Sequence, residues 1–251
     1  MRLPVATVLL LVLGACATPP LPPALAQSAG AHSRELLLLG EQHDASAHRR
    51  MQRQVVEMLA AEGRLAALAV EMAEQGRSTV GLGADASEQS VREALHWNEA
   101  GWSWPTYAPV VMAAVRAGVP VLGANLPKTQ MAAAMADSSL DARLAAPALK
   151  AQREAIREGH CDLLPESQIA PMARIQIARD RSMAQVLQRA IVPGKTVVLI
   201  AGNRHVDPAL GIPQHLPATL RAETAPLPPE PPKKDYCEEL RSKMKRPVAA
   251  S

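Results

Sequence analysis

The sequence predicts an α/β domain: a mainly parallel central sheet flanked by helices, with a helical insertion over the carboxyl end of the sheet. Three observations carry this. Short aliphatic runs recur along the chain at the length of buried strands. Stretches of helical periodicity separate them. Each aliphatic run also ends in polar residues, the arrangement expected where a ligand binds beyond the carboxyl ends of parallel strands.

The predicted strands are Glu35 to Leu39, Leu65 to Val70, Val119 to Leu122 and Thr196 to Ala201. After the first, Ala47 to Glu62 places Met51, Val55, Met58 and Leu59 on one helical face. Tyr107 to Ala117 repeats apolar residues at similar spacing, and Ile169 to Ala190 is a long amphipathic stretch carrying Met172, Ile175, Met183 and Leu187. Residues 128–168 have helical composition and no strand, so they read as the insertion. Residues 34–225 form one domain of ordinary size. At 48% apolar the chain has enough material for a core, and with no Phe that core must be Leu, Val, Ala and Met.

The first strand runs into Gly40-Glu41-Gln42-His43-Asp44 and the second into Glu71-Met72. The third runs into Ala124-Asn125-Leu126-Pro127, and the fourth into Gly202-Asn203-Arg204-His205. Singly, each is what a solvated turn would show. Together they place two Glu, two His and two Asn at one end of a sheet, which points to a functional cleft. The next helix adds His48 and Gln52 on one face, with a structural and a functional reading both open for His48. Asp44 is placed to cap that helix.

At the N-terminus, Arg2 is the only charge before an apolar run that ends at Ala15. The run is shorter than the roughly 20 residues a membrane span needs, and has the build of an export signal over residues 1–15. Leu13-Gly14-Ala15-Cys16 resembles the bacterial lipobox, which implies acylation of Cys16 and attachment to a membrane. The alternative is an ordinary signal cut after Ala24-Leu25-Ala26. Ala17, where inner-membrane retention favours Asp, implies an outer-membrane address in the cell envelope. Residues 16–33 are Pro-rich at their start and read as an extended tether. Losing Arg2 with the signal lowers the formal charge from +3 to +2, which leaves no nucleic-acid footprint. Cys161 and Cys237 are then expected to pair in an oxidising compartment, two free thiols being the alternative. The bridge would staple the Pro-rich tail, residues 226–251, onto the domain and contribute roughly 4–5 kcal/mol in the chain-entropy model.

All three Trp and one of the two Tyr fall between His96 and Pro109. Such concentration predicts either a flat apolar wall for a planar ligand or a local packing cluster.

Four motifs together resemble the ChaN-like haem-binding lipoproteins of the Tiki/erythromycin-esterase-like superfamily. They are Gly40-Glu41-x-His43-Asp44, Trp102-x-Trp104-x-x-Tyr107-x-Pro109, Ala124-Asn125-Leu126-Pro127 and Gly202-Asn203-x-His205. Gln176-x-x-Arg179-Asp180-x-x-Met183-Ala184 and Gly211-x-Pro213-x-His215-Leu216 extend the likeness over about residues 35–220. Arg49 stands where members of the family often show a second His.

The resemblance implies a haem-binding lipoprotein of haem or iron uptake, tethered through Cys16. It leaves room for an outer-membrane haem receptor as partner and for haem shared in a homodimer. By residue type, a phenolate suits a ferric centre that is captured and released, so Tyr107 beside Trp102 and Trp104 is the first candidate for haem iron, with Tyr236 second. His43 or His205 could ligate iron or bond a propionate, and Arg204, Lys128 or Arg179 could pair with propionates. A rival reading comes from hydrolases of the same superfamily. There, positions resembling Glu41, His43, Glu71 and His205 form a centre that holds a divalent transition metal or works as a metal-free acid–base pair.

Overall fold

The computed structural model describes residues 19–31 and 34–245. The expected signal segment and Cys16 lie outside these residues. Among the described residues, no helix is long and apolar enough to cross a membrane.

Five strands form one parallel sheet in the order β3-β2-β4-β1-β5. They are β1 (Leu36–Glu41), β2 (Leu65–Glu74), β3 (Val121–Asn125), β4 (Thr196–Gly202) and β5 (Ala222–Pro226). Every residue of β1 and β4 is buried, as strands covered on both faces require. Alternation then divides the core. Leu37 and Leu39 face Val55, Val56 and Leu59 of α2 (Ser46–Ala61) and Val111 of α4 (Trp104–Arg116). Leu36 and Leu38 face Met183 and Leu187 of α7 (Glu166–Arg189). Two further helices are α1 (Pro23–Gly30) and α3 (Glu88–Ala94).

Residues 128–168 are helical throughout their ordered elements. They hold 3-10 turns at Lys128–Gln130 and Ser138–Arg143, then α5 (Met131–Ala136) and α6 (Ala146–Gly159). Leu140 and Leu144 pack on Ile177, and Ile156 on Ala173, so α7 is the platform for the insertion.

Two expectations are corrected. The stretch read as an extended tether contains α1, which starts at a Pro in the first turn and buries Leu25 and Ala29 four residues apart. A Pro at that position costs no helical hydrogen bond, so Pro content alone misreads it. The second correction is β5, which pairs with β1 from Leu36↔Ala222 to Gly40↔Pro226. It is a half-exposed edge strand without an aliphatic run, and its Pro sits where an edge tolerates one.

The register places the site. Glu41 lies level with Gly202, and Val70 pairs with Ile200, so Glu71 ends at nearly the same height. The expected pairing of Cys161 with Cys237 is present, with 5.6 Å between Cα atoms, and ties α8 (Tyr236–Lys245) to the end of α6.

Candidate functional site

A cleft of about 630 Å³ opens at the carboxyl ends of β1, β2 and β4. Its floor is Gly202, and its walls include His43, Glu71, Arg179, Arg204 and Tyr236.

Glu41 anchors one wall. Its carboxylate is fully buried and shared by four donors. Oε1 accepts from His43 Nδ1 and from the Tyr107 hydroxyl, each at 2.7 Å. Oε2 accepts from the Arg49 guanidinium and the Gln52 amide. Burial alone would raise its pKa, but His43, Arg49 and Gln52 hold it below the ordinary carboxylate value. An ionised carboxylate only accepts, so the proton of the His43–Glu41 bond sits on Nδ1. Nε2 of His43 is turned to the cleft, on a side chain 43% exposed, and in the neutral imidazole it is the nitrogen that carries the lone pair.

A Cβ added at Gly202 would lie 3.0 Å from His43 Nε2 and 3.6 Å from Glu71 Oε2. Glycine keeps this spot open, flanked by Glu71 from β2 on one side and by His43 from the loop after β1 on the other.

The second wall is a row of ionised groups. Glu71 Oε2 accepts the Gly202 amide at 2.8 Å, and Oε1 lies 3.4 Å from His205 Nε2. His205 Nδ1 is 2.5 Å from Asp180 Oδ1. Burial opposes charge on every member. It would lower the pKa of His205, yet Glu71 and Asp180 push it up to about 10. It would raise Glu71, which His205 and His43 nonetheless bring down to about 2. For Asp180 burial wins over His205, and its pKa rises to about 6. His205, a single imidazole between two carboxylates, holds the proton at neutral pH.

The predicted residues Glu41, His43, Glu71, His205 and Arg204 therefore meet in one cleft. Others are placed differently. Tyr107, expected as a phenolate ligand, is 2% exposed beneath Glu41, to which it donates. Burial and the adjacent carboxylate raise its pKa, so a phenolate is disfavoured twice over. Trp104 is 4% exposed, and its Nε1 donates to Glu88 at 2.8 Å. The aromatic rings meet edge to face, at 80° for Trp97–Trp104 and 88° for Trp102–Tyr107, which makes a packing cluster and not a flat wall. Trp102 alone of the cluster reaches the site, edge-on to His43 at 4.8 Å. On its other side is an adjoining cavity of about 540 Å³ that Lys128 and Arg179 also line.

His205, a candidate for iron or metal, has both ring nitrogens turned to carboxylates and no free lone pair. Among the described residues, no group of three or more His, Cys, Asp or Glu is arranged to hold a metal ion. His48 is structural: Nδ1 accepts the Gln42 amide and Nε2 donates to the Pro228 carbonyl. Asp44 does not cap α2, whose cap position is Ala45. It accepts instead from the Lys233 amide and the Tyr236 hydroxyl of the tail.

The sequence pointed to Gln52 and Arg49 without showing their roles: both hold Glu41 from α2. It missed Asp180, which holds His205 from α7. Asp180 sits within the quoted Gln176-x-x-Arg179-Asp180 motif, but a mid-helix acid carries no sign of what it faces.

No curated protein matches this sequence. Among solved structures, one titled "Cofacial heme binding to ChaN of Campylobacter jejuni" superposes with a TM-score of 0.66 at 22% identity, covering 84% of this chain and 86% of that one. At that identity the likeness establishes the fold, a parallel α/β sheet with flanking helices. Residues 28–216 match the family described as haem-binding uptake, Tiki superfamily, ChaN. That match spans most of the domain, strand-end motifs included, and the chain belongs to the ChaN family of haem-binding uptake proteins.

Proposed function

We propose that this chain binds haem in the cleft above Gly202, with His43 as the axial ligand of the iron, and that it does so as a membrane-tethered lipoprotein of haem or iron uptake. The carrying observation is the His43–Glu41 pair. A metal-binding imidazole characteristically donates its second ring N–H to a carboxylate, which fixes the tautomer and raises the basicity of the free nitrogen. His43 has that arrangement, with Nε2 on the open side. Imidazole is among the axial ligands haem iron accepts. Arg179 and Arg204 line the same cleft and are suited to pair with propionates.

Haemin titration of the purified protein tests this. The expected result is a saturable Soret shift that His43→Ala weakens by more than about 100-fold, beyond the usual cost of an outer-shell loss. Tyr107→Phe is expected to keep the band position. No band beyond free haemin would end the haem reading, while loss of the band in Tyr107→Phe alone would restore the phenolate.

One observation favours a second reading, an acid–base hydrolase. His43 Nε2 and Glu71 Oε2 flank one open point, where a neutral imidazole could take a proton from water. A metal-dependent version would need His205 to surrender a carboxylate partner. Folded protein inactive on ester and peptide panels, with and without added Zn²⁺ or Mn²⁺, would remove this reading.

The tether rests on Leu13-Gly14-Ala15-Cys16. Cys16→Ser is expected to move the protein from the outer-membrane fraction to the soluble one. Unchanged fractionation would overturn the anchor.

A further inference from the structure

The C-terminal segment after β5 lies beyond the residues that match the family, which end at 216. It nevertheless helps to build the cleft. The Leu227 amide donates to the Gly40 carbonyl at 2.8 Å, and Leu227 is the segment's buried anchor. From there the chain follows the β1–α2 loop that carries His43. Glu230 exchanges hydrogen bonds with Gln42 and Ala47, and Asp44 takes the Lys233 amide at 3.0 Å and the Tyr236 hydroxyl at 2.8 Å. The Tyr236 side chain forms part of the cleft wall. The next residue, Cys237, is bonded to Cys161 on the opposite rim, where α6 also sends Glu158 to Arg204.

From Pro228 to Lys243 no side chain is buried. The hydrogen bonds to Asp44 are solvent-exposed, so each adds little to stability. The disulfide is the one strong attachment of α8 among the described residues.

We propose that residues 227–245 are a disulfide-latched strap across the cleft, which sets how fast ligand enters and leaves. Reduction by a dithiol would pass two electrons and two protons to the bridge. The S–S bond breaks, Cys161 and Cys237 become thiols, and the reductant is left as its own disulfide. Without the latch, α8 has no buried side chain through Lys243 to hold it, Tyr236 leaves Asp44, and the cleft opens at His43. The ligand in question rests on the haem reading above, but the opening does not.

Two measurements on the full chain separate these. The first is ligand-free: carbethoxylation of His43 by diethyl pyrocarbonate, followed by mass spectrometry. The oxidised protein is compared with the Cys161→Ser/Cys237→Ser variant and with reduced, desalted wild type. Labelling is expected to be about tenfold faster in both unlatched forms, the scale on which exchange rates vary among related complexes, and to slow again on reoxidation of the wild type. Equal labelling in latched and unlatched protein overturns the strap. The second measurement is haem transfer to apomyoglobin, made with the Ser variant so that no reductant touches the iron. Transfer is expected to accelerate by a similar factor. Faster labelling with no haemin bound in either form would sustain the strap and remove the haem reading, whereas equal transfer rates would deny the strap control of haem exchange.

Discussion

Glu41→Ala is expected to destabilise the fold by about 3–5 kcal/mol, the cost of leaving one member of a buried ion pair without its partner. The carboxylate is fully buried and serves four donors. Removing it strands the Arg49 guanidinium, which is 9% exposed over the Tyr107 ring at 4.3 Å, and leaves the Tyr107 hydroxyl and Gln52 amide to find new acceptors. Glu41→Gln keeps the shape but turns an NH₂ toward two donors, so it is expected to lose nearly as much. The discriminating variant is Glu41→Ala/Arg49→Met. If the stranded charge is the main cost, the double change recovers more than half of the lost stability, because the two sites are directly coupled. Urea denaturation measures all three. A loss under about 1 kcal/mol for Glu41→Ala, the range of ordinary substitutions, would mean that the cage is not holding the loop. The same variant frees the His43 tautomer, so haemin affinity is expected to fall by about 10–100-fold, as outer-shell losses do.

The strand ends were readable because aliphatic runs are short, buried and followed abruptly by charge. Glu41 closes β1, Glu71 follows the aliphatic run of β2, which continues to Glu74, and His205 lies three residues past β4; parallel register brings Glu41 and Glu71 to nearly the height of Gly202. Residue type was a poorer guide to role. Tyr107 lies in an aromatic window, which suggests a ligand surface, but α4 turns its hydroxyl inward to a carboxylate 66 residues away. His43 and His205 look equivalent in sequence, each two or three residues past a strand. They differ because one donates to a single carboxylate and faces solvent, while the other is clamped between two. That difference is made by Asp180, a long-range partner no local pattern announces. The edge strand β5 was missed for a related reason. Its side chains are half exposed, so the hydrophobic signal that reveals β1 and β4 is absent, and only backbone pairing defines it.

Stability is expected to fall as pH rises from 6.5 towards 10, and His205 is the cause. Its pKa is pushed up from 6.5 to about 10 in the folded protein, burial being outweighed by Glu71 and Asp180. Below pH 6.5 folded and unfolded chains both carry this proton, and the stabilising contribution is fully present. Above it the unfolded imidazole releases the proton while the folded one retains it, so stability declines by up to about 1.4 kcal/mol per pH unit. The contribution is gone once the folded pKa is passed. Glu71 acts at the other end: lowered from 4.5 to about 2, it stabilises above pH 4.5 and loses that contribution as pH falls through about 2. Asp180, raised from 3.8 to about 6, and His215, lowered from 6.5 to about 4, also change below the window. Denaturant midpoints at pH 6, 8 and 9.5 should therefore slope downward in the wild type and lie nearly flat in His205→Gln, which starts from lower stability. An equal slope in both would show that the imidazolium is not the group titrating. The same proton bears on function. While it is held, His205 has no lone pair to offer iron, so within this pH window His205→Gln should leave the position of the haemin Soret band unchanged where His43→Ala moves it.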